Sequence, residues 1–177
     1  NIDARTVRSE LPSGMKLALL PKATRGQTVS GTIRLHFGTE QALSGKATTA
    51  SLAGAMLMRG TTAHTRQQIK DEFDRLKAQV GVRGTAEGVT VSFTTVRANL
   101  PAVIRLAGEV LRQASFDSTE FVTLQRERLA ALESQRTDPI ALAQTALARA
   151  TQAYAPGHPR YVSTIEERIA NTQAVTV

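Results

Sequence analysis

Three histidines, His36, His64 and His158, are the side chains of this 177-residue sequence best suited to ligate a metal or to move a proton near neutral pH, and cysteine is absent. No two of them stand one helical turn apart, the spacing that would put a metal-ligating pair on one helix face. His36 falls on the polar side of an alternating run, His64 in a polar stretch between two helical patterns, and His158 in the Pro-flanked segment Gly157-His158-Pro159-Arg160-Tyr161. That segment gathers His158, Arg160 and Tyr161 on one loop, and these three are the candidate contacts for a substrate or partner. Ser51 has no histidine near it in sequence to activate it as a nucleophile. Glu127 and Glu133 lie six apart among basic neighbours, which reads as a solvated helix face before it reads as a pair of catalytic carboxylates. Gly81, Gly84 and Gly88 form no nucleotide-binding loop, and hairpin turn geometry accounts for them.

The elements that must carry these residues follow from hydrophobic period. Residues 15–20 alternate Met15, Leu17 and Leu19 against Lys16 and Ala18 until Pro21 intervenes, predicting a half-buried strand. A second strand sets Val29, Gly31, Ile33, Leu35 and Phe37 opposite Ser30, Thr32, Arg34 and His36. Ser44 is placed to cap a helix over 46–58, which Gly60 ends. Thr65 and Gln68 form a capping box ahead of the stripe Ile69, Phe73, Leu76 and Val80. Residues 79–84 and 87–95 then read as a hairpin with Val89, Val91 and Phe93 inward.

Further on, Asn99 and Pro101 open a helix burying Leu100, Val103, Ile104, Ala107, Val110 and Leu111. Asp117 with Glu120 predicts another capping box, before Phe121, Leu124, Leu129 and Leu132. Asp138-Pro139 starts a helix expected to turn Ile140, Ala143, Leu147 and Ala150 to the core, and Thr164 with Glu167 caps the last one. Two strands, two helices, two strands and several helices predict an α+β fold, a mainly antiparallel sheet of about four to six strands covered by helices. No linker divides residues 1–177, so a single domain is expected; it ends without the closing helix and strand that would complete such a sheet, as a piece of a longer chain would.

Composition narrows the function classes. A hydrophobic content of 41% supports an ordinary core, and the absence of cysteine excludes a disulfide framework and a thiolate metal site. The net charge of +7 raises nucleic acid or an anionic membrane as a partner, but the basic residues are scattered and only 4% of residues are aromatic. That distribution argues against nucleic acid. No apolar run approaches the roughly 20 residues of a membrane span, and the first residues lack a signal-peptide core, so an export signal would lie upstream.

Residues 48–62, TTASLAGAMLMRGTT, supply the remaining lead. Met56-Leu-Met-Arg-Gly60-Thr61 resembles the end of the zinc-binding helix of the pitrilysin/insulinase family of inverted zinc metalloproteases. The likeness runs through nearly the whole chain, in Leu11-Pro-Ser-Gly-Met15, in Gly38 with Glu40 and Leu43, and in Asn99-Leu100, Glu109-Val-Leu111, Phe116-Asp117, Glu120-Phe121 and Arg126-Glu-Arg128. The family's HxxEH sets two zinc-ligating histidines and a general base on one helix face, with a third ligand from a distant helix. Laid on Gly60-Thr61, those positions fall on Ser51, Gly54 and Ala55, and the distant ligand falls within about one residue of Ser134. A serine hydroxyl is a poor zinc ligand, and glycine and alanine offer no donor.

The resemblance therefore implies a degenerate, non-catalytic domain that holds no metal itself. It would help wall a peptide-enclosing chamber and dock a homologous catalytic half or subunit, where zinc and the peptide substrate would sit. The family context favours the periplasm. The alternative is a scaffold or assembly protein derived from the peptidase fold, with no proteolysis anywhere in the parent. Gly54 within a helix costs about 1 kcal/mol against alanine; it suits either a smooth cavity wall open to a partner or close helix-to-sheet packing within the domain.

Overall fold

A computed structural model describes all residues, 1–177. The core of the architecture is a three-stranded antiparallel sheet ordered β3-β5-β4, formed by β3 (Thr28–His36), β4 (Gln79–Thr85) and β5 (Gly88–Val96). Its register runs from Thr28↔Val96 to His36↔Gly88 on one side of β5 and from Gln79↔Thr94 to Thr85↔Gly88 on the other. Because strand residues alternate between faces, Val89, Val91, Phe93 and Thr95 share the covered face with Val29, Gly31 and Ile33. Ser30, Thr32, Arg34 and His36 lie in solvent, as expected. The Phe93 ring occupies the space over Gly31, where a Cβ would come within 2.3 Å of it.

The first predicted strand is real but lies outside this sheet. It is β2 (Lys16–Leu19), paired antiparallel with an unforeseen β1 (Val7–Glu10) in a separate two-stranded sheet. A short helix, α1 (Ile2–Arg5), precedes them. The alternation in 15–20 is genuine, yet no layer covers this short ribbon, and Met15 and Leu19 are exposed. Strand β1, Val-Arg-Ser-Glu, has one apolar residue and gives no period to detect.

Helices cover the inner face. Thr39 caps a short α2 (Glu40–Leu43), after which α3 (Ala47–Met56) ends in a 3-10 turn at Leu57–Arg59 and in Gly60, whose φ is 143°. The expected Ser44 cap is absent: its hydroxyl donates instead to the Gly157 carbonyl at 3.1 Å. α4 (Arg66–Arg75) carries the predicted Thr65/Gln68 capping box, and α8 (Ile165–Ala174) that of Thr164/Glu167. Leu57, Ile69, Phe73, Leu76, Phe93, Val103, Leu106 and Val110 form the main core between α4, α5 (Leu100–Arg112) and the sheet. A smaller cluster joins Leu52 and Met56 of α3 to Phe121 and Leu124 of α6 (Ser118–Gln135).

Three local expectations need correction. In α5 the buried stripe is Val103, Leu106, Ala107 and Val110, and Ile104 lies outside it. Asp117 alone caps α6, accepting from Thr119 and Glu120 amides, because the Glu120 carboxylate is engaged by arginines. In α7 (Pro139–Thr151) the stripe expected to face inward faces out: Ile140 is 68% and Leu147 66% exposed, while Ala141, Thr145 and Ala148 are half-buried. An apolar period shows which face is suited to burial, and here the chain's own packing uses the small-residue face.

Candidate functional site

The four positions singled out by resemblance occupy different surroundings. Ser51 is half-buried at the wall of a cleft of about 660 Å³ between α3, α6, α7 and α8. Gly54 is buried against the sheet, and Ala55, next along the helix, is exposed. Ser134 is exposed, its hydroxyl donating to the Ala131 carbonyl at 2.9 Å, while its neighbour Gln135 lines the cleft. One hydroxyl on each of two helices and two positions without a donor do not fit zinc. No group of three His, Asp or Glu side chains is close enough to form a metal site elsewhere.

What Gly54 does is clear from its neighbour. A Cβ there would stand 2.3 Å from Gly84 Cα and 2.6 Å from Gly84 N, and one on Gly84 would stand 2.5 Å from Gly54 Cα. Helix α3 and strand β4 thus touch backbone to backbone, which settles Gly54 as close packing within the domain. Gly84 is also not a turn glycine, nor are Gly81 and Gly88: none has positive φ, and the turn residues are Ala86 and Glu87.

The loop candidates are all engaged inside the domain. Arg160 Nε donates to Glu87 Oε1 at 2.8 Å, which holds the Glu87 carboxyl below its ordinary value and raises the guanidinium. The His158 ring stacks on Tyr154 at 4.2 Å, accepts from the Arg160 amide at Nδ1 and places Nε2 3.3 Å from Glu40. Tyr161 hydroxyl donates to Glu167 and lies under the Arg149 guanidinium, 5.6 Å from its ring centroid. Together with Ser44, these contacts clasp residues 154–161 to the region around α2 and to the β4–β5 turn.

Two polar clusters escaped sequence reasoning. Arg59, 9% exposed, pairs with Glu120 at 3.2 Å and with Glu127, and Arg66 adds a second cation 3.6 Å from Glu120. Glu127 is therefore bound to the end of the α3 segment, while Glu133 pairs with Arg136 at 3.1 Å. The detectable sign was Glu120 and Glu127 two turns apart on one helix face. The other cluster centres on Glu109 Oε1, which accepts from Thr61 Oγ1 at 2.6 Å and lies 2.7 Å from His64 Nδ1.

Hydrogen bonds from Thr61, then from His64, hold the Glu109 carboxyl below its ordinary value of 4.5. A depressed folded-state value means the unfolded chain binds the proton more readily. The contribution is thus fully present above 4.5 and is lost as pH falls through the depressed value. We expect Glu109→Gln to cost about 1–2 kcal/mol at neutral pH and to flatten the acid limb of a Tm-against-pH series. An unchanged acid limb would contradict the assignment.

A helix-covered antiparallel sheet, with a small-residue helix pressed on its edge strand, is an architecture that recurs in solved structures of peptidases. The fold is the one found in a peptidase M16 inactive domain from Pseudomonas fluorescens, with a TM-score of 0.75 at 20% identity over 96% of this chain. It recurs in a protease from Helicobacter pylori, with a TM-score of 0.77 at 14% identity over 97% of the chain. The ferredoxin protease FusC, solved as a mutant in complex with Arabidopsis ferredoxin, shares it with a TM-score of 0.64 at 16% identity over 99% of the chain. The chain spans 42%, 41% and 19% of those three chains. By sequence, no family model and no curated protein matches.

Proposed function

We propose that this chain is a non-catalytic domain of a zinc endopeptidase, one that helps to wall a peptide-enclosing chamber and docks a homologous catalytic half or subunit. The observation that carries this reading is the Gly54–Gly84 contact, which fills with backbone the place where an HxxEH helix would hold its general base. The fold of an inactive peptidase domain supports it, and the solved FusC complex is an instance of this fold in a protein that engages a protein substrate. Zinc and bond cleavage belong to the catalytic half, and the family resemblance favours the periplasm as the compartment. Arg160, with a side chain 59% exposed, is the loop residue best placed to meet the partner or the peptide. No helix is long and apolar enough to cross a membrane.

Co-expression of the parent's two halves tests this. The expected result is a complex that binds zinc in the catalytic half and cleaves unstructured peptides, while the 177-residue chain alone does neither. Stoichiometric zinc and chelator-sensitive cleavage by the chain alone would refute the reading. A parent without an HxxEH anywhere would favour the scaffold. Arg160→Ala with His158→Ala should weaken partner affinity or raise KM; unchanged turnover and affinity would retire the loop as a contact.

A further inference from the structure

The cleft beside Ser51 contains two arginines without a carboxylate partner. Arg168, half-buried on α8, donates only to neutral oxygens at long range: Thr164 O at 3.4 Å, Gln135 Oε1 at 3.5 Å and Thr145 Oγ1 at 3.3 Å. Arg128 on α6 also lines the cleft and makes no ion pair. Burial, and then the nearby Arg128 charge, lower the proton affinity of Arg168, with Glu166 opposing weakly. Of the other acids here, Asp138 accepts from the Ile140 amide as a helix cap, and Glu167 accepts from Tyr161 and the Thr164 amide. Arg59, by contrast, is answered by two carboxylates. The half-buried Arg168 guanidinium, facing the like charge of the exposed Arg128, forgoes its strongest hydrogen bonds until an anion arrives.

We infer that the Arg128–Arg168 cleft is a binding site for a carboxylate of an extended peptide, received as a fork of charge-assisted hydrogen bonds. A volume of about 660 Å³ accommodates a few peptide residues. Leu52 and Leu132 offer apolar wall beside the charge, while Ser51, Gln135 and Thr145 offer neutral hydrogen-bonding groups. The site rests on the chamber reading and refines it by giving the enclosed peptide a chemical preference for acidic residues.

NMR titration of the 177-residue chain, following arginine Nε–H signals, tests the site with three unlabelled peptides. One is amidated Gly-Leu-Glu-Leu-Gly, the second its Gln counterpart, and the third that Gln peptide with a free C-terminus. The Glu peptide should bind roughly tenfold or more tightly than the amidated Gln peptide, shift the Arg168 signal and weaken with salt. If only the free C-terminus restores affinity, the carboxylate is a chain end; if the internal Glu does so, it is a side chain. Arg128→Gln with Arg168→Gln should erase the preference, and Arg128→Gln alone, at an exposed position, should reduce it with Tm unchanged. Equal binding of the Glu and Gln peptides that survives both substitutions overturns the carboxylate site and leaves the chamber reading intact. Absence of any binding overturns the site as well, and the co-expression test then judges the chamber reading separately.

Discussion

Replacing Gly54 by alanine is expected to destabilise the fold by about 2–3 kcal/mol and to lower Tm by roughly 4–12 °C. The new methyl carbon would lie 2.3 Å from Gly84 Cα and 2.6 Å from Gly84 N. Backbone atoms in a paired strand cannot move aside as a side-chain tip can, so α3 has to lift from β4. The sign makes the experiment informative: at an open cavity wall, Gly→Ala in a helix would instead stabilise by about 1 kcal/mol. Gly84→Ala should reproduce the loss from the strand side, since its Cβ would meet Gly54 Cα at 2.5 Å. Because the two changes strike one contact, their effects should be far from additive. A rise in Tm for Gly54→Ala would defeat this account of the helix-strand contact.

Deleting both carboxylates that answer Arg59, as Glu120→Ala with Glu127→Ala, is expected to cost about 3 kcal/mol, because a guanidinium 9% exposed is left uncompensated. The acids are more exposed than the base, at 33% and 54%, so removing Arg59 lets them rehydrate. Arg59→Met in the doubly substituted chain removes the stranded guanidinium itself and should recover about 1–2 kcal/mol. Urea denaturation of the four combinations measures the coupling. If the double deletion stayed within about 0.5 kcal/mol of the parent chain, Arg59 would be held by packing alone.

Much of the fold was legible because local chemistry and tertiary packing agree. Thr65/Gln68 and Thr164/Glu167 announce helix starts whose cap partners lie three residues away. Val89, Val91 and Phe93 alternate because one sheet face is covered. Most of the misreadings share a cause, dependence on a partner remote in sequence. Ser44 has the chemistry of a cap but is bonded to Gly157, 113 residues away. Glu120 has the spacing of a capping box but is drawn to Arg59. Gly84 sits beside a hairpin turn, and only the approach of α3 shows why it lacks a side chain. Ile140 and Leu147 carry a true apolar period, yet nothing within the chain covers it.

At the site, the poor ligand at Ser51 and the lack of any donor at Gly54 and Ala55 were readable residue by residue. The cleft beside them was not, because Arg128 and Arg168 lie 40 positions apart on different helices and neither stands in a motif. Scattered basic residues suggested a solvated surface, and most of them are that. Burial distinguishes Arg168, and burial is not written in the sequence.

The Gly54–Gly84 contact also has an evolutionary consequence. A glutamate at position 54 needs a Cβ where the Gly84 backbone stands, so placing a general base there by substitution at 54 alone would disrupt the fold whatever stood at 51 and 55. The sheet would have to move away first, and that step confers no chemistry by itself. Such a contact works as a ratchet: once helix and strand have closed on each other, any route to a catalytic helix at this place runs through less stable intermediates.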